Sequence, residues 1–284
     1  MLKDPNLDKK KIKENKKFVL WWLIHRITSR QRALPSFIIV GTAKGGTTSL
    51  FEYLSKHPRV FPPLRKQVKY FYYNYALGFD WYQAHFPLRR KLNSNQGITG
   101  EATPNYMFRA EAIQRIALAL PNIKLIALLR NPVERAYSHY NYVQRVSKEA
   151  LSFDEAINKE LNYPDGNMGK TAKETEQLQA IYPHRNYIAR GRYIEQIPRL
   201  FEFFPEQNIL ILKSEDFFSD TPTIFQKTLK FLDLPGWEPD NYTIFKKGRY
   251  AEINQETREK LEQYYYPYNQ ELYDFLNRDF GWGN

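Results

Sequence analysis

The chain has 284 residues, 42 of them Lys or Arg against 31 Asp or Glu, for a net charge of +11; this is length for one large α/β domain with a buried core, with no sign of a second. It contains no cysteine, which excludes disulfides, thiolate metal sites and cysteine nucleophiles and fits a reducing cytoplasm. The charge calls for acidic partners, but beyond the N-terminal arm the basic residues are dispersed. The tyrosines fall in apolar helical patterns such as 261–276, so core packing rather than nucleic-acid stacking is their expected role.

Residues 1–17 hold seven lysines (3, 9, 10, 11, 13, 16 and 17) against Asp4, Asp8 and Glu14, the composition of a solvated arm. The apolar run Phe18 to Ile24 is cut off by His25 and Arg26, far short of the roughly 20 residues a membrane span requires, and it lacks a small-residue cleavage site. A short helix packed on the domain is the first expectation. The other is an interfacial segment with Trp21 and Trp22 at a lipid surface, which would make the protein membrane-peripheral. Residues 1–35 are therefore set apart from a domain over 36–284.

Phe37 to Val40 is a continuous apolar run of the kind a central parallel strand shows, and Gly41 ends it. Behind it Gly45 and Gly46 permit positive φ, and Thr47, Thr48 and Ser49 fall where the free N–H groups of a helix N-terminus collect. Such a place binds phosphate or sulfate. A nucleoside-triphosphate loop reads G-x-x-x-x-G-K-[ST]; with its first glycine on Gly41, Gly46 falls correctly but Thr47 stands where the phosphate-clamping lysine belongs. Lys44 lies three residues early, inside the loop, where it can reach a bridging oxygen at the end of a 5′-phosphate chain.

Further strands are expected at Ile98–Glu101, Ile123–Leu129 and Ile209–Lys213, separated by helical stretches, giving a central parallel sheet flanked by helices with ligands at the strands' carboxyl ends. The Ile123–Leu129 strand stops at Arg130, and Pro132 opens a helix. An ATPase or nucleotide kinase needs an acidic residue here for magnesium, and this chain has arginine. Arg130 and Ser138 are eight positions apart, so both can converge on one phosphate and leave no metal site. The stretch from Ala150 to Arg190 reads as an irregular helical insertion that shapes an acceptor cleft.

Together, GTAKGGTTSL from Gly41 and Arg130 with Ser138 resemble the sulfotransferases that use 3′-phosphoadenosine 5′-phosphosulfate (PAPS), in particular the carbohydrate, heparan-sulfate-type branch and its bacterial relatives. Moderate to weak landmarks continue the likeness to Trp282. The resemblance implies a P-loop-like phosphosulfate-binding loop of Lys44, Gly45, Gly46, Thr47 and Thr48, and a 3′-phosphate site at Arg130 and Ser138. It adds Lys247, Gly248 and Arg249 to the cofactor site and implies a carbohydrate or glycoconjugate acceptor. Lys44 is then the expected stabiliser of the leaving phosphate. The family's glutamate in a segment like E-V-H-F-F falls on Gln67, which cannot accept a proton at neutral pH, and its lysine after GE falls on Ala102. Glu101 is the nearest carboxylate in motif order and the candidate base, with His85 and His139 weaker; Gln67 is left to position the acceptor. The departures keep open a binding protein of the same fold with impaired catalysis.

Overall fold

The computed structural model describes residues 23–147, 151–162, 186–243 and 251–283. Four strands, β1 (Phe37–Gly41), β2 (Gly100–Ala102), β3 (Lys124–Leu129) and β4 (Ile209–Lys213), form one all-parallel sheet in the order β2-β1-β3-β4. The expected second strand is displaced by two residues, because Ile98 pairs with Val60 in an isolated bridge and only Gly100–Ala102 joins β1. Among the described residues, beside a helical turn over 23–27, the α-helices are, in chain order, α1 (Thr47–Lys56), α2 (Phe79–Gln83), α3 (Arg89–Ser94), α4 (Ala110–Ala119), α5 (Pro132–Ser147), α6 (Phe153–Leu161), α7 (Pro198–Phe203), α8 (Ser214–Ser219), α9 (Thr221–Phe231) and α10 (Gln255–Leu276).

β1, β3 and β4 carry apolar runs because helices cover both faces of the sheet, whereas β2 is the short Gly-Glu-Ala. Side chains alternate across the pleat. Ile38 and Val40 enter one core layer with Phe71, Tyr82, Tyr106, Ile113 and Leu272, whereas Phe37 and Ile39 enter the other with Leu50, Leu54, Phe225 and Leu229. A third cluster joins Val133 and Ala136 of α5 to Ile157 of α6 and Leu261 and Tyr265 of α10. β1 is central, with β2 on one side and β3 on the other, so the crevice at its carboxyl end is the place where an open parallel sheet takes a ligand.

Within the expected insertion, α6 starts from a reciprocal cap between Ser152 and Glu155. At its far end, Glu160 accepts the backbone N–H groups of Asn186, Tyr187 and Ile188, and thereby ties down the chain leading to Arg190 and Tyr193. At the N-terminal end, a helical turn over 23–27 rests on the domain: the His25 ring is hydrogen-bonded to the Ala84 carbonyl at 3.0 Å, and Arg32 donates to the Phe86 carbonyl at 2.8 Å. Its aliphatic residues do not share that packing, since Leu23, Ile24 and Ile27 are exposed. Phe18 to Trp22 lie outside the described residues.

Candidate active site

The loop from Thr42 to Gly46 leaves β1 and turns into α1. The Thr42 N–H donates to the Leu128 carbonyl at 2.9 Å and the Gly45 N–H to the Thr42 carbonyl at 3.0 Å, so the loop is fixed against β3. Gly46 caps α1 at φ +96°, where a Cβ would also stand 2.8 Å from the Phe218 ring, and Gly45 approaches so closely that a Cβ would lie 2.5 Å from the Leu128 carbonyl oxygen. The first bond of α1 runs from the Leu50 N–H to the Gly46 carbonyl at 3.2 Å, which leaves the N–H groups of Thr47, Thr48 and Ser49 without intrahelical acceptors. Side chains occupy two further carbonyls of the loop: Arg130 donates to that of Lys44 at 3.2 Å and Ser214 to that of Gly45 at 2.7 Å. The result is a fixed loop with donors at a helix's positive end, suited to an anion.

On the other side, Asn131 caps α5 by accepting from Val133 at 2.9 Å and Glu134 at 3.3 Å, with Pro132 at its first position. Tyr193 donates to the Arg130 carbonyl at 2.8 Å and fixes the strand end. The Arg130 guanidinium lies 3.8 Å from Glu134, an exposed-side pair of small weight. The Lys44 ammonium rests 4.9 Å above the ring of Tyr142, and Tyr142 follows Ser138 by one helical turn, on the same face of α5. Lys44, Arg130, Ser138 and the start of α1 are thus brought to one crevice.

Gln67 lies on the segment that runs beside the end of β2: the Ala102 N–H donates to the Lys66 carbonyl at 2.9 Å. Lys66, absent from the sequence-based expectations, donates to the Thr48 hydroxyl at 2.6 Å and puts a second ammonium at the first turn of α1. Glu101 is fully buried. Its Oε1 accepts from the Tyr82 hydroxyl at 2.9 Å and the Tyr106 hydroxyl at 3.1 Å, and its Oε2 from the Val68 N–H at 3.1 Å and the Thr103 hydroxyl at 2.6 Å. Burial raises this carboxyl to a pKa of about 6 against the lowering effect of those donors. His85 is buried with its ring hydrogen-bonded to the Trp81 carbonyl at 2.9 Å and pushed down to a pKa of about 4, mainly by burial; His139 packs edge-on against Tyr187. Lys247, Gly248 and Arg249 lie outside the described residues, which hold no His, Asp and Glu cluster suited to a metal ion.

A family model described as the sulfotransferase domain matches residues 34–278. The chain belongs to this family. Sulfuryl transfer is therefore its reaction class, on a P-loop-like α/β fold. It is 28% identical to the membrane-associated sulfotransferase kil1 of Dictyostelium discoideum over 88% of this chain and 67% of that protein. It is also 28% identical to human heparan sulfate glucosamine 3-O-sulfotransferase 6, over 89% of this chain and 75% of that one. It matches the bifunctional heparan sulfate N-deacetylase/N-sulfotransferase 1 of Caenorhabditis elegans at 26% identity, over 89% of this chain but 31% of the worm protein. A sulfotransferase structure from Alicyclobacillus acidocaldarius superposes with a TM-score of 0.66 at 28% identity, covering 87% of this chain and 98% of its own.

Proposed function

We propose that the protein moves the sulfuryl group of PAPS to a carbohydrate or glycoconjugate acceptor, on a hydroxyl in preference to an amine. The observation that carries this reading is that Arg130 donates to the Lys44 carbonyl, beside the first turn of α1, and that the Lys44 ammonium lies over Tyr142, one helical turn from Ser138, all at the carboxyl end of the sheet. Two relatives are named for heparan sulfate, which supports the carbohydrate acceptor. A nucleotide kinase or ATPase fits less well, since the strand end that would hold magnesium carries Arg130.

Bound in the crevice, PAPS supplies the sulfuryl group. The N–H groups of Thr47, Thr48 and Ser49 would hold the 5′-phosphate side and Arg130 with Ser138 the 3′-phosphate, and the family resemblance adds Lys247, Gly248 and Arg249 to the same cofactor site. Lys44 extends from its rest on Tyr142 to neutralise charge on the leaving oxygen. Lys66 stands beside Thr48 as a second cation for the same purpose. Gln67 orients the acceptor through its amide. Glu101, with both oxygens occupied and no surface, acts as a positioning residue: it holds the Val68 N–H, and with it the backbone next to Gln67, rather than taking the acceptor's proton.

Calorimetry with 3′-phosphoadenosine 5′-phosphate (PAP) and with ATP plus magnesium tests the donor site, and transfer from labelled PAPS to a panel of glycans and phenols tests the acceptor. Tighter binding of ATP, or transfer to phenols and to no glycan, would overturn the reading.

A further inference from the structure

A second surface lies apart from the catalytic crevice. A cleft of about 780 Å³ opens between the N-terminal turn, the segment after α1 and the start of α3; His25, Arg32, Phe61, Leu64, Arg90 and Lys91 are among its lining residues, and none is acidic. The three segments that build this face, 23–34, 58–65 and 84–99, carry eight Lys or Arg and no Asp or Glu, where the acidic frequency of the whole chain would place about four. Arg90 and Lys91 are exposed; Lys91 lies over the Phe61 ring, and Arg30 reaches its partner Asp80 only at 4.0 Å with 88% of its side chain exposed.

An anion alone would account for the cations but not for what stands beside them. Leu23, Ile24 and Ile27 are 48%, 49% and 83% exposed on the turn that contributes His25 to the cleft, with Arg26 and Arg30 interleaved. Exposed aliphatic side chains set among cations that outnumber the acids of this face match a surface that is anionic at its headgroups and apolar just beneath. A polysaccharide would use the charges and leave the aliphatic residues in water.

We propose that this face docks on a membrane containing anionic phospholipid, with a headgroup phosphate in the cleft among Arg32, Arg90 and Lys91 and with Leu23, Ile24 and Ile27 entering the interfacial layer. The docking leaves the catalytic crevice to its own ligands and does not depend on the assigned reaction.

Sedimentation of the full chain with vesicles of phosphatidylcholine, with and without phosphatidylserine, tests it. Binding is expected only with phosphatidylserine and weakens as salt is added. At about 1 kcal/mol per basic residue at an anionic surface, Arg90→Ala with Lys91→Ala lowers the partition coefficient roughly thirtyfold. Ile27→Asn, which adds no charge, lowers it without changing the salt slope. PAP affinity serves as the control for folding, and its loss in the unsubstituted chain would count against the assigned reaction and not against docking. Equal binding to both vesicles, or a double variant that binds as the parent does because the N-terminal lysines suffice, overturns the proposal. So does binding of a sulfated oligosaccharide through Arg90 and Lys91 with no binding to vesicles, which would make this a glycan surface.

Discussion

Glu101→Gln separates a sealed carboxylate from a working base. The carboxylate serves two donors on each oxygen, at 2.9 and 3.1 Å on one and 3.1 and 2.6 Å on the other. An amide has one oxygen, and the Val68 N–H cannot turn, so that oxygen must face Val68 and Thr103 while the NH₂ meets two tyrosine hydroxyls that have to rotate and accept. With the four donors already counted, the folded carboxyl has a pKa of about 6 against 4.5 for the free side chain, and one pKa unit is 1.36 kcal/mol, so keeping it ionised costs the fold about 2 kcal/mol. Because the folded state binds this proton more tightly than the unfolded one, the parent gains that stability as pH falls through 6 to below 4.5 and loses it on the way back up. Glutamine has no such dependence. Urea unfolding of both proteins between pH 4 and 7 should show the parent losing about 2 kcal/mol relative to the variant as pH rises from below 4.5 to above 6, all other groups cancelling in the difference. A difference that does not change with pH, or that moves in the parent's favour towards neutrality, would refute the burial argument. Turnover per folded molecule should fall several-fold while kcat/KM keeps its limb near pH 6, if there is one; loss of such a limb would make Glu101 the base.

Arg130→Ala should weaken PAP binding by roughly 2–4 kcal/mol and Ser138→Ala by less, with little change towards adenosine 5′-phosphosulfate, which lacks the 3′-phosphate; calorimetry with both nucleotides checks it, and equal losses would place Arg130 elsewhere. Lys44→Ala should lower kcat by roughly 10²–10³, as loss of a preorganised donor to developing charge does, with Lys66→Ala smaller; single-turnover kinetics measures both, and a change confined to KM would remove Lys44 from the leaving-group role. His85, held at a pKa of about 4 against 6.5 unfolded, should contribute about 3 kcal/mol that is present above pH 6.5 and lost as pH falls towards 4. His85→Gln should flatten that acid limb in unfolding curves, and an unchanged limb would contradict the burial.

The sheet was legible because its chemistry is local. β1, β3 and β4 lie between two layers of helix, so each shows as an apolar run, and the runs of β1 and β3 end at residues that cannot continue them, Gly41 and Arg130. The second strand was the least legible, since Ile98 spends its apolar character on a bridge to Val60 rather than on β1. The phosphate loop was legible for the same reason as the strands: glycines, lysine and threonines stand in one contiguous stretch. The contacts that complete the site are not contiguous. Lys66 meets Thr48 across 18 residues and Ser214 meets the Gly45 carbonyl across 169, and neither leaves a periodicity or a composition signal. Glu101 was misleading because a carboxylate at the end of a strand reads as a group facing the ligand; what conceals it are the hydroxyls of Tyr82 and Tyr106, whose direction is fixed only by the packed core.

The same geometry bears on how such a site lowers a barrier. Gln67 cannot take a proton, and Glu101 is sealed among four donors. A general base contributes typically 10²–10⁴ in rate, whereas one preorganised donor to a developing anion contributes about 10²–10³, and in the proposed reaction Lys44, Lys66, which donates to Thr48, and the first turn of α1 would serve the leaving side. Several such donors together can match what one base supplies. Catalysis weighted to the leaving group discriminates among acceptors differently from catalysis weighted to the base: the rate falls least for an acceptor oxygen whose proton is already engaged by a neighbouring group of the acceptor itself. Placing a carboxylate at position 67 would then raise the rate most for acceptors without such a neighbour, which ties the choice of acceptor to the residue where the family resemblance implies a glutamate.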